Sequence, residues 1–144
     1  MNVAEILKTK GSKVITVRPD MSIAMLVHRL RLERVGAFVV SPSGTTVEGI
    51  ISERDVARGL AEHGAELMDM KASDLMTRAV VTCTPQDTLA HIAKMMTHQR
   101  IRHLPVMEGG KLAGIVSIGD VVRHRMDELE MEANVLRDYA VVRQ

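Results

Sequence analysis

The chain has 144 residues, of which 46% are hydrophobic and 26% charged, with a formal net charge of +1. That length suits one compact domain or two small repeats sharing a core, not a multidomain enzyme, and no apolar run approaches the ~20 residues of a membrane span. One cysteine and two aromatic residues, Phe38 and Tyr139, exclude a disulfide framework and base-stacking platforms, while the near-neutral charge supplies no field for nucleic acid.

The opening stretch MNVAEILKTKG has no apolar segment followed by a small-residue cleavage site, so it reads as the lead-in of a cytoplasmic protein. A short β-type run, VITV, follows and ends before Pro19. Ser22 then caps a helix whose apolar stripe is Ile23, Leu26, Val27 and Leu30. GAFVV and EGIIS flank the turn signal Pro42-Ser43-Gly44 and predict a hairpin, after which a second helix begins around Asp55. Gly64 breaks the helical pattern, and Ser73 is expected to cap the short segment Asp74-Leu75-Met76, which answers Ile6-Leu7 of the first lead-in.

The chain then spells the same plan again. VVTC runs to Pro85, Thr88 caps a helix with the stripe Leu89, Ile92, Ala93 and Met96, and HLPVM and AGIVS flank Gly109-Gly110 before a helix from Asp120. Val14 falls on Val80, Thr16 on Thr82 and Ala24 on Ala90 at an offset of sixty-six, and GIISERDV falls on GIVSIGDV at sixty-five. Two β-α-β-β-α units of roughly sixty residues share one design, and neither sheet is large enough to stand without its sibling. The fold class is therefore α+β, two pseudo-symmetric repeats packed sheet to sheet, divided as 1–66, 67–125 and a helical extension 126–144. Cys83, inside VVTC, reads as a packed thiol, and the eleven methionines read as core filler. From Val122 the apolar positions Met126, Leu129, Ala133, Leu136 and Ala140 alternate steps of four and three. That tail either packs along its own domain or forms a seam for a second subunit.

The repeated S-x-x-D pattern carries the chemistry. A Ser at a strand end and the free N–H groups of the next helix make an anion site, and the Asp at the helix start can accept from vicinal hydroxyls, which suggests a ribose. A charged hydrogen bond is worth roughly 1.5 to 3 kcal/mol, enough to supply much of a micromolar affinity. For either copy alone, simple helix capping explains the same residues; two copies at repeat spacing change the weighing.

GIISERDV and GIVSIGDV, with VITVRPDMSI and RIRHLPV, resemble paired cystathionine-β-synthase (CBS) domains, the Bateman module, over nearly the whole chain. ILKTKG, ISERD and VSIGDVV look more narrowly like stand-alone CBS-pair proteins. The resemblance implies two clefts that bind adenosyl ligands (AMP, ADP, ATP, NAD or S-adenosylmethionine) without catalysis or a metal, and dimerisation of the pairs. Carried onto this chain, one site would use Ser117 and Asp120 on ribose and phosphate, Arg102 and His103 on phosphate, Val14, Ile15, Gly36 and Ala37 on the base, and Lys10 as a further phosphate contact. The mirror site would use Ser52, Asp55 and Arg54, with Val80, Val81, Leu104 and Pro105 around the base, and is the less complete of the two. Arg102 and His103 also fit a solvated strand edge, and Lys10 a solvated basic turn.

Rival classes find little support. The six histidines make no H-x-x-x-H or H-E-x-x-H pattern, and there is neither a G-x-S-x-G elbow nor a phosphate-binding G-x-x-x-x-G-K-S/T loop. Arg29, Arg31 and Arg34 could present a basic face to nucleic acid, but a solvated face explains them equally. The expected function is a non-catalytic adenosyl-nucleotide sensor that works as a homodimer and regulates an unidentified enzyme or transporter; the alternative is a ligand-independent interaction and dimerisation scaffold.

Overall fold

The structure is a computed structural model and describes residues 1–142. In the first repeat, β1 (Thr16–Val17), α2 (Ile23–Glu33), β2 (Ala37–Val40), β3 (Gly49–Ser52) and α3 (Glu53–His63) follow the expected order, after a lead-in helix α1 (Val3–Lys10). β1 lies parallel to β2, with Val17 opposite Val40, and β2 pairs antiparallel with β3, with Ala37 opposite Ser52. Ser22 caps α2 by accepting from the Met25 N–H at 3.2 Å. Ile23, Leu26 and Leu30 are buried as the periodicity requires, but Val27, on the margin of the stripe, is 38% exposed.

The second repeat contains α5 (Leu89–Gln99), β4 (His103–Glu108), β5 (Lys111–Ser117) and α6 (Ile118–Val142). Thr88 caps α5 as Ser22 caps α2, and both helices end on an arginine in the left-handed region, Arg34 and Arg100, each at φ 54°. The expected strand VVTC is reduced to one parallel bridge, Cys83 with Val106, made by Cys83 N–H to Pro105 O at 3.0 Å and Met107 N–H to Cys83 O at 2.8 Å. Pro105 is the reason, because it has no N–H with which to extend the ladder toward Val81. Burial pushes the Cys83 thiol up to about 12, with the Asp87 charge adding, so it is a packed side chain.

Packing does not follow the order of the chain. Val3 and Ile6 of α1 belong to the core of the second repeat, with Cys83, Leu89, Ile92 and Leu104, whereas Leu67, Ala72 and Met76 from the connecting segment belong to the first core, with Val17, Leu26 and Phe38. The two lead-ins dock by matching hydrogen bonds. Val3 N–H and Ala4 N–H reach Asp87 O and Pro85 O at 2.9 Å, while Ala72 N–H and Ser73 N–H reach Met21 O and Pro19 O at 2.8 and 3.0 Å. Each then seats a long side chain on a strand glycine: a Cβ on Gly114 would lie 2.6 Å from Leu7 Cδ2, and one on Gly49 would lie 2.5 Å from Met76 Sδ. The glycine of each octet is thus a seat for the other repeat's lead-in.

The segment between the repeats is a 3-10 turn, Gly64–Asp69, and a one-turn helix α4, Ala72–Leu75. The expected Ser73 cap is not made; Asp74 accepts from the Lys71 N–H at 2.9 Å and starts the helix two residues earlier. α6 packs through its first three turns, where Asp120 and Val121 are buried and Glu128 meets the N-terminal ammonium at 3.3 Å, while Met126, Leu129 and Leu136 are exposed. The last two positions of the 126–144 extension lie outside the described residues. Of the methionines, Met76 and Met96 are buried while Met25, Met126 and Met131 are exposed, so core filling accounts for only some of them.

Candidate functional site

The two octets build the same helix start. In α3 the Ser52 N–H and hydroxyl donate to Asp55 Oδ2 at 2.8 and 3.0 Å, and the Asp55 N–H donates back to Ser52 Oγ at 3.3 Å. In α6 the Ser117 N–H donates to Asp120 Oδ2 at 2.9 Å and the Asp120 N–H to Ser117 Oγ at 3.2 Å. Both are capping boxes with aspartate as the acidic member, favoured by the positive end of the helix dipole.

What surrounds the caps differs. Ser52 and Asp55 line a cavity of about 280 Å³ between the repeats, near the lower end of the roughly 300–1,000 Å³ usual for small-molecule sites. Its wall holds Gly36, Arg54 and Arg58 from the first repeat and Val80, Val81, Arg100, Ile101, Arg102 and His103 from the second. Asp55 is half-buried, and among the described residues its Oδ1 receives no hydrogen bond. The four arginines, set against Glu53 and Asp55, make no ion pair or side-chain hydrogen bond among the described residues. A guanidinium fork left without a carboxylate is a ready donor to phosphate oxygens.

Asp120 is occupied. It is 6% exposed, and its Oδ2 accepts from the Lys10 ammonium at 2.7 Å; Lys10 also donates to the Ile115 carbonyl at 3.0 Å. The Arg123 guanidinium stands 3.9 Å from Oδ1. Burial pushes the Asp120 carboxyl upward, but the Lys10 and Ser117 hydrogen bonds and the Lys10 charge together outweigh it and hold the group below the ordinary carboxylate value.

His103 sits where the repeats meet. A Cβ on Gly36 would lie 3.3 Å from its ring, so a larger residue there would have to push the imidazole aside by a few tenths of an ångström. Burial lowers its pKa; Lys10 and Arg102 lower it further, against the opposite pull of Glu53 and Asp120.

The sequence reading grouped Arg102, His103 and Gly36 with Asp120; in the fold these three line the cavity that also holds Ser52, Arg54, Asp55, Val80 and Val81, while His103 stands opposite Ser117 across the hairpin and feels the charges of Lys10 and Asp120 as well. Ala37, Leu104 and Pro105 are buried in their strands, and none of these, nor Val14, Ile15, Ser117, Asp120 or Lys10, lines the cavity. Arg58 and Arg100 were missed. Arg58 was available from its position one turn after Arg54 on the same helix face; Arg100, at a helix end, carried no such signal. Among the described residues no group of three or more His, Cys, Asp or Glu is placed to hold a metal, and no helix is long and apolar enough to cross a membrane.

Fold and site together define a tandem α+β repeat with a basic cleft between its halves. The chain belongs to the CBS domain family, whose profile matches residues 3–62 and 72–127. It is 32% identical over 145 residues to a mitochondrial CBS domain-containing protein of Arabidopsis thaliana, covering 95% of this chain and 70% of that one. The crystal structure of a CBS-domain-containing protein from Agrobacterium tumefaciens matches at TM-score 0.84 and 42% identity, over 87% of this chain and 99% of that one. A CBS domain pair solved with 5-methylthioadenosine and S-adenosyl-L-methionine matches at TM-score 0.76 and 25% identity, over 85% and 98% of the two chains.

Proposed function

We propose that this chain is a non-catalytic regulatory module that takes an adenosyl nucleotide, AMP or NAD in the first instance, in the cavity beside Asp55. The observation that carries the reading is a set of four arginines, Arg54, Arg58, Arg100 and Arg102, unpaired among the described residues, around one cavity that also holds a half-free carboxylate. Asp55 Oδ1 accepts from the ribose hydroxyls, the guanidinium groups take phosphate, and Val80, Val81 and Ile101 supply the apolar surface for the base. The adenosyl ligands of the related CBS pair support the same ligand class.

The cavity wall comes from both repeats, so a ligand there favours the arrangement in which they are closed on each other. That preference is the signal: a partner enzyme or transporter reads a surface whose population the nucleotide has shifted. Calorimetric titration with AMP, ATP, NAD and S-adenosylmethionine tests it. Saturable binding of at least one, lost in Arg102→Glu, is expected; no heat from any of them up to millimolar concentration rejects the sensor and leaves the ligand-independent scaffold.

The exposed apolar positions of α6 favour a homodimer built on that helix, because Met126, Leu129, Val135 and Leu136 are each more than half exposed in the single chain. A chain ending at Arg125 is expected to lose half its mass by light scattering while keeping its nucleotide affinity. An unchanged mass rejects the seam.

A further inference from the structure

The lead-ins that dock so similarly differ in length. Seven positions separate Leu7 from Val14, but only four separate Met76 from Val80. The additional residues of the first lead-in are spent on helix: α1 continues to Lys10, while α4 ends at Leu75. That extra turn carries the Lys10 ammonium onto Asp120, 2.7 Å from Oδ2, and the shorter lead-in delivers no amine to Asp55. α1 is firmly held, with Val3 and Ile6 fully buried, Leu7 seated on Gly114 and the Gly11 N–H closing on Leu7 O at 2.7 Å.

We propose that Lys10 is a built-in plug: its ammonium occupies the carboxylate of the second octet, so that Asp120 grips no ribose and the chain binds one nucleotide, not two. This rests on the reading of Asp55 as a ribose grip. Among the described residues the hydrogen bonds of both carboxylates fall on Oδ2, so the difference is what lies over each group. Asp55 is half-buried on the cavity wall, whereas Asp120 is 6% exposed beneath the Lys10 ammonium, which is anchored a second time on the Ile115 carbonyl at 3.0 Å, with the Arg123 guanidinium 3.9 Å from Oδ1. A diol entering the Asp120 site would have to replace a charged donor on a buried carboxylate with neutral hydroxyls and leave the ammonium without its partner. Lys10 thereby turns two near-identical grips into one binding site and one internal lock.

Stoichiometry tests the plug. Calorimetry with AMP, or with whichever adenosyl ligand binds the wild type, is expected to give one site per chain in the wild type, two in Lys10→Met, and one again in Lys10→Met combined with Asp120→Asn. Asp55→Asn should weaken binding tenfold or more in the wild type but leave one site of undiminished affinity in the Lys10→Met background. Two sites in the wild type, or one in a folded Lys10→Met, overturns the plug while leaving the nucleotide reading intact. No binding by either protein overturns that reading instead. A measurement on the wild type alone guards against a variant that does not fold: pulse acetylation with mass mapping should modify Lys10 at least tenfold more slowly than Lys8 or Lys13, and equal rates would show that the amine is not held.

Discussion

The caps at Ser52–Asp55 and Ser117–Asp120 agree in every backbone hydrogen bond to within 0.1 Å, yet one carboxylate is half-open to a basic cavity and the other is buried under a lysine. The difference does not arise in the octets. It arises 110 residues up the chain for Asp120, which Lys10 closes, and in the shortness of the connecting segment for Asp55. A duplicated motif therefore reports a shared local structure, while the charge state of each copy is decided by what the rest of the chain lays across it.

Several substitutions would sharpen or break that contrast. The largest effect is expected from Asp55→Asn, which removes the charged acceptor and should weaken nucleotide binding tenfold or more, following roughly 1.5 to 3 kcal/mol for such a bond. Titration calorimetry reads it directly, and unchanged affinity would remove Asp55 from the site. Next come the glycine seats. Gly49→Ala meets Met76 Sδ at 2.5 Å and the Thr77 carbonyl at 3.0 Å, whereas Gly114→Ala meets only the Leu7 side chain. Gly49→Ala should cost about 1–3 kcal/mol of stability by denaturant melting and Gly114→Ala less, because a leucine can turn aside and a backbone carbonyl cannot. Equal losses would mean that Leu7 is as immovable as the backbone.

The Lys10–Asp120 pair has a pH signature. Its lowered carboxyl contributes stability above the ordinary carboxylate value, and that contribution is lost as pH falls through the lowered one. Wild type should therefore melt above Lys10→Met near pH 7, by about 1 kcal/mol for a pair whose lysine is partly exposed, and the gap should close in acid. A gap that persists in acid would assign the effect to packing of the lysine stem. The smallest effect belongs to His103. Its pKa is lowered in the free protein, so a bound phosphate would raise it and binding would take up a proton. Affinity relative to His103→Gln should rise a few-fold as pH drops below about 6.5; parallel pH profiles would place His103 away from the phosphate.

The α+β repeat, its helices and its hairpins were legible because they rest on local signals. Ser22 and Thr88 cap, the i, i+3, i+4 stripes bury, and the Gly44 and Gly109-Gly110 turns take positive φ as their residue types allow. The loss of VVTC as a strand was legible in principle, since Pro105 was in view and its missing N–H is a local fact. The exchange of lead-ins between cores was not, because Ile6-Leu7 and Leu75-Met76 are interchangeable apolar pairs and only docking decides which core each enters.

The same divide runs through the site. From sequence alone the chain determined two helix starts, each with a serine and an aspartate facing one another, because that geometry needs only four consecutive residues and a preceding strand. The tertiary structure alone decided that Arg102 and His103 line one cavity with Asp55, that His103 also feels Lys10 and Asp120, and that Lys10 covers Asp120. Those are distances between charges far apart in the chain, and a side chain's electrostatic surroundings depend on which elements pack beside it, not on which residues precede it.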